Sequence, residues 1–152
     1  MKLMTSMESA RGPDLVPEIL VTALKDSLDF WCRLGGFEVL YDRPEEGFAY
    51  ITRGTLHLML EEAGLGRNWS PATLEHPLGR GVNFQITVES IDPLVDALRA
   101  ANWALFMEPE TKWYRTGKTE TGVIQCLVQD PDGYLIQFQS SLGLNAFASA
   151  CE

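Results

Sequence analysis

The order β-α-β-β-β can be traced twice along this chain, and that repetition constrains the fold more than any single motif. In the first pass "PEILVTA" (17–23) reads as a strand and "LKDSLDFWCRLGG" (24–36) as a short helix. Leu24, Leu28, Trp31 and Leu34 fall at helical spacing, and Gly35-Gly36 supply the stop. "FEVLYDR" (37–43) alternates as a strand, and "GFAYIT" (47–52) and "TLHLMLEE" (55–62) flank a tight hairpin at Arg53-Gly54. In the second pass "GVNFQITVES" (81–90) is a clear strand, and a helix opens with Asp92 as N-cap and Pro93 at its first position. "WALFM" (103–107), "VIQCLVQ" (123–129) and "YLIQFQS" (134–140) complete the repeat as strands. The chain divides into a loose leader (1–15), a first module (16–62), a linker (63–80), a second module (81–141) and a tail (142–152). The fold class is α+β, two tandem βαβββ modules.

The last hairpin, "VQDPDGYLIQFQS" (128–140), poses the functional question. Asp130-Pro131-Asp132-Gly133 is a turn by composition. After it Tyr134, Ile136 and Phe138 occupy one face, and Leu135, Gln137 and Gln139 the other. Primary amides on a strand's second face need partners if covered, and charged residues would serve better in open water.

Composition removes several function classes. With 152 residues, 45% hydrophobic and 22% charged, the chain is long enough to bury a core without staples. The net charge of −9 argues against nucleic acid, whose phosphates need clustered Lys and Arg, and favours a cationic ligand. No apolar run approaches a membrane span, and the leader has no apolar segment of the signal-peptide kind. Three cysteines, Cys32, Cys126 and Cys151, without C-x-x-C spacing read as reduced thiols in a cytoplasm.

The paired modules, "DSLDFWCRLGGFEVLY" and the closing "LVQDPDGYLIQF", resemble the vicinal-oxygen-chelate superfamily over residues 16–141. The likeness is nearest to bleomycin-resistance-type proteins. It implies that each sheet curls around a cavity with helices on the convex side, and that the protein is a homodimer. One scaffold hosts unrelated chemistries, so the resemblance speaks for fold more than for function. On that picture Leu56, Leu58, Leu60, Phe84, Ile86, Val88, Ile124, Cys126, Val128, Ile136 and Phe138 pack under the helices. The alternate positions, Glu18, Leu20, His57, Met59, Glu61, Asn83, Gln85, Thr87, Gln125, Leu127, Gln137 and Gln139, line the cavity.

Metal-dependent members of that superfamily carry His or Glu at inward positions of the first, fourth, fifth and eighth strands. The first, fifth and eighth fall here at Val16, Asn83 and Gln137. Valine has no lone pair, and neutral amides are weak ligands for transition metals. His57 and Glu61 on the fourth strand are the only retained donors and the basis of an alternative metal site. No nucleophile, Walker or dinucleotide motif is present. The expectation is therefore a ligand-sequestering protein with no cofactor, with a metal-dependent lyase, isomerase or dioxygenase as the alternative. Its ligand is a bulky cationic or aromatic small molecule, such as a glycopeptide antibiotic. Amides would hydrogen-bond it, Glu18 and Glu61 would favour its charge, and Phe48, Trp113, Tyr114 and Trp69 would stack on it. The segment 108–122 is expected to be a mobile loop with Trp113 as its lid.

Overall fold

A computed structural model describes residues 12–146. The leader up to residue 11, and the tail from residue 147 with Cys151, lie outside the described residues. The chain forms two compact units, 1–70 and 71–152.

In the first unit β1 (Glu18–Val21) leads to helix α1 (Leu24–Leu28), which widens into a π-helical segment (Asp29–Leu34). Strands β2 (Glu38–Arg43), β3 (Phe48–Arg53) and β4 (Leu56–Glu62) follow. The sheet order is β1-β4-β3-β2, with β1 parallel to β4 and the rest antiparallel. The Leu24 amide donates to Glu62 Oε2 at 2.9 Å, so a carboxylate meets the first orphan N–H groups of α1. The core joins Ile19, Val21, Ile51, Leu58 and Leu60 of the sheet to Phe30, Trp31 and Leu34 of the helical segment, all buried. Trp31 meets Phe30 and Phe37 edge-on, with ring centroids 5.7 and 5.4 Å apart.

In the second unit β5 (Asn83–Thr87) precedes α2 (Asp92–Ala100), β6 (Met107–Thr116), β7 (Thr119–Gln129) and β8 (Leu135–Ala146). The order β5-β8-β7-β6 repeats the first sheet, with β5 parallel to β8. Ile86, Cys126, Val128, Ile136 and Phe138 on the sheet and Ile91, Val95 and Leu98 around α2 are among its buried apolar residues. The tandem βαβββ organisation is therefore observed.

Three details differ from expectation. The N-cap of α2 is Ile91 rather than Asp92, and the Ser90 hydroxyl accepts the Asp92 N–H at 3.2 Å. "WALFM" is not a strand of its own, because β6 begins only at Met107. The expected loop 108–122 is a β-hairpin: β6 and β7 pair regularly from Glu110↔Gln125 to Thr116↔Thr119 around a turn at Gly117-Lys118. β8 correspondingly runs through residues assigned to the tail, as far as Ala146.

Candidate functional site

The predicted site residues fall into two groups, one on each sheet. In the second unit the strand registers place Thr87, Gln139, Gln125 and Glu110 in one row across all four strands, with Gln85, Gln137 and Leu127 in the next. Tyr114 lies on the same face, further along β6. Glu110, Tyr114, Gln125, Gln137, Gln139 and Thr87 form a continuous chain of hydrogen bonds. Gln125 Nε2 donates to Glu110 Oε1 at 2.9 Å and to the Tyr114 hydroxyl at 2.7 Å. Gln137 Nε2 donates to Gln125 Oε1 at 2.8 Å and to Gln139 Oε1 at 3.2 Å, and Gln139 Nε2 donates to Thr87 Oγ1 at 3.4 Å. Gln125 is 4% exposed and fully partnered, which answers how a covered amide is tolerated on a strand. Gln137 and Gln139 are half-buried, while Asn83, Gln85 and Thr87 are exposed. The face is open along β5 and closed towards β7.

The turn before β8 aims this face. Asp130, 3% exposed, accepts the N–H groups of Asp132 and Tyr134 on Oδ1, both at 2.9 Å, and its own carbonyl accepts from Gly133 at 3.0 Å. Pro77 and Leu78 of the linker lie on the turn, with the Leu78 amide donating to the Asp132 carbonyl at 2.8 Å. A Cβ at Gly133, where φ is +94°, would stand 2.5 Å from Pro77 Cβ, so only glycine fits. The β7–β8 register, and with it the Gln125–Gln139 and Leu127–Gln137 pairings, is set from this turn.

Trp113 is placed differently from its neighbour. It alternates with Tyr114 on β6, so it points to the face opposite the amides and lies across from Gly122. A Cβ at Gly122 would stand 2.6 Å from Trp113 Cη2, so the indole rests on bare glycine backbone. It is a strand residue seated on the hairpin, 37% exposed, rather than the lid of a loop. Glu110 is the participant that sequence reasoning left out.

The first unit's face carries different chemistry. Register places Glu18 and Leu20 of β1, His57, Met59 and Glu61 of β4, Phe48 and Tyr50 of β3, and Tyr41 and Arg43 of β2 together. The Tyr50 hydroxyl and His57 Nδ1 are 2.8 Å apart, Tyr41 stacks on Tyr50 with centroids 5.0 Å apart, and the Arg43 guanidinium lies 4.0 Å from the centre of Phe48. Glu18 hydrogen-bonds Glu61, and that bond, with burial and the like charge of Glu61, pushes its carboxyl up to about 7 against the opposing pull of Arg43. Glu61 itself is buried: a Cβ at Gly66, in the turn after β4, would stand 3.1 Å from its Oε1. Trp69, the remaining aromatic proposed to stack, is 73% exposed beside Arg67.

The residues at the superfamily's metal positions do not fit a divalent transition metal. Val16 offers no donor, and Asn83 and Gln137 are neutral amides, weak ligands for such ions. On β4, His57 Nδ1 is engaged by Tyr50 and Glu61 by Glu18. Among the described residues no three His, Cys, Asp or Glu side chains are grouped to hold a metal ion. Cys126 is no nucleophile, since burial, with the nearby Glu108, pushes its thiol up to about 11.

Comparison with known proteins settles the family. The model of the Glyoxalase/Bleomycin resistance protein/Dioxygenase superfamily matches residues 15–138. The chain belongs to this vicinal-oxygen-chelate superfamily. A member of the superfamily from Vibrio splendidus 12B01 is 36% identical over 82% of this chain and 95% of its own, with a TM-score of 0.38, and here the sequence identity alone is informative. TioX from Micromonospora sp. ML1 shares the fold at a TM-score of 0.67 and 22% identity, covering 86% of this chain and all (100%) of its own. A virulence protein from Salmonella typhimurium does so at 0.62 and 14% identity, covering 86% and 97%. No curated protein sequence matches the chain. Among the described residues no helix is long and apolar enough to cross a membrane.

Proposed function

We propose that this superfamily member is a binding protein that holds a bulky cationic or aromatic small molecule without transforming it. The observation that carries the reading is the hydrogen-bonded amide face of the second sheet, where Gln125 is buried and saturated and Gln137 and Gln139 stand half-open beside it. Such a face orients a ligand by geometry but offers neither nucleophile nor metal donor set. Tyr114 supplies an aromatic surface on the same side, and the net charge of −9 favours cations. A cytoplasmic homodimer suits free Cys32 and Cys126 and the edge strand β2, which exposes Val39, Leu40 and Tyr41. Calorimetry and thermal shift against bleomycin and a panel of aromatic cations test the reading. Saturable binding with unchanged ligand recovered afterwards is expected, and a ligand at a hundred times its Kd would add about 2.7 kcal/mol of stability. Recovery of a converted product would overturn it.

One observation favours a second reading, an enzyme of the isomerase or lyase kind. A carboxyl held near 7 in the Glu18–Glu61 pair is suited to moving a proton at neutral pH. Turnover abolished by Glu18→Gln, with ligand affinity retained, would establish it.

A further inference from the structure

The amide chain has a direction, and one residue sets it. A carboxylate can only accept hydrogen bonds, so Glu110 obliges Gln125 to present its NH2 group, and Gln125 Oε1 must then face Gln137. Gln137 in turn must present Nε2, whose two hydrogens are taken by Gln125 Oε1 and Gln139 Oε1. The Tyr114 hydroxyl lies 2.7 Å from Gln125 Nε2 and 3.1 Å from its Oε1, so it can partner either end of that amide, and the carboxylate of Glu110 alone sets the direction. Without the carboxylate at one end, each amide could turn over and the chain would present donor or acceptor with equal ease.

We infer that Glu110 is a specificity-determining residue that locks this relay with the Gln137 carbonyl turned outward, so that the site selects ligands bearing N–H donors. Gln137 Oε1 is the half-buried acceptor that the chain leaves for a ligand, beside the exposed Gln85 in the next strand. The chemical class is an amidinium, guanidinium or protonated amine attached to an apolar or aromatic body. A quaternary ammonium of the same charge satisfies the negative field equally and leaves the carbonyl unpaired. Charge alone therefore does not explain the selectivity, and hydrogen-bond polarity does. This rests on the binding reading above.

The experiment compares benzamidinium with phenyltrimethylammonium, two aromatic cations of equal charge of which only the first has N–H donors. Affinities are measured by calorimetry on the full chain and on two variants. Glu110→Gln removes the acceptor-only end, and Gln125→Met cuts the relay while keeping the Glu110 charge. The unmodified protein should prefer benzamidinium about tenfold, roughly one hydrogen bond's worth. Both variants should lose most of that preference, with thermal denaturation confirming that each is folded. A preference near one in the unmodified protein, or a preference undiminished in Gln125→Met, overturns the relay. Binding of neither cation at millimolar concentration overturns the binding reading itself, a result distinct from the first two. Should Gln125→Met fail to fold, the Glu110→Gln ratio decides alone, because that exposed side chain bears little of the fold.

Discussion

The two sheets share one strand order and one parallel seam, yet their second faces carry different chemistry. In the first unit that face is aromatic and acidic, and the chain covers part of it with the turn at Gly66. In the second it is an open row of amides whose hydrogen bonds run across the strands. The apolar faces, by contrast, match: Leu58 and Leu60 in one, Ile136 and Phe138 in the other. The module is specified by what it buries. What it shows on the other side is free to diverge, and function resides in that divergence.

The largest expected effect breaks the buried face. Phe138→Ala should cost about 3–5 kcal/mol by leaving a cavity at a fully buried position. Gln137→Ala, one residue earlier on the other face, should stay within about 1 kcal/mol, since the Tyr114 hydroxyl at 3.1 Å can supply Gln125 Oε1. Urea denaturation of both proteins measures the contrast. Next, Gln125→Ala should destabilise by about 1–3 kcal/mol by stranding its partners, whereas Tyr50→Phe in the first unit should lose about 1 kcal/mol with the His57 bond.

Trp113→Ala sharpens the distinction between faces. It should cost about 1–2 kcal/mol through lost burial on Gly122. Benzamidinium affinity should not change, because Trp113 and the amides lie on opposite sides of the sheet. Weaker binding by calorimetry in the folded variant would contradict that placement.

The smallest effect distinguishes the two sheets by pH. The Glu18 carboxyl rises from 4.5 to about 7 on folding, so the folded chain holds a proton that the unfolded chain has released between those values. Its contribution to stability is complete below pH 4.5 and lost as pH rises through 7. Screening at this exposed side chain limits it to on the order of 1 kcal/mol. Glu61 on β4 and Arg43 on β2 are the charged neighbours whose opposing influences set the value. Melting temperatures of the wild-type and Glu18→Gln proteins should agree below pH 4.5, where both side chains are neutral, and separate as pH rises through 7, where only the wild type carries the added charge beside Glu61.

Strands with one buried face were legible from period-two alternation, as at residues 55–62 and 134–140, and the DPDG turn from its composition. β6 was not, because nearly all of it is exposed and an edge strand with two wet faces shows no apolar rhythm. "EPETKWYRTGKTETG" therefore reads as a loop by composition. The signal that could have found it is the pair of threonines bracketing Gly117-Lys118, a two-residue hairpin turn. Missing the hairpin hid Glu110, which appears in sequence as one more surface charge. The first unit's Tyr50–His57 bond and the Glu18–Glu61 pair join strands that alternation alone does not register against each other.

The parallel seam between β5 and β8 bears on how the amide face is assembled in time. β6–β7 and β7–β8 are hairpin neighbours and can zip locally, but β5 reaches β8 only after the helix and two intervening strands are in place. Contact order therefore predicts that the Glu110–Gln125–Gln137 end of the relay forms early and locally, and that Thr87 joins it at a late closure. In the folded protein the same seam is where transient opening should begin, detaching the exposed β5 strand while the hairpins hold. A molecule gripped between Gln85 and Gln137 would bridge that seam and slow amide hydrogen exchange along β5 more than anywhere in β6 or β7.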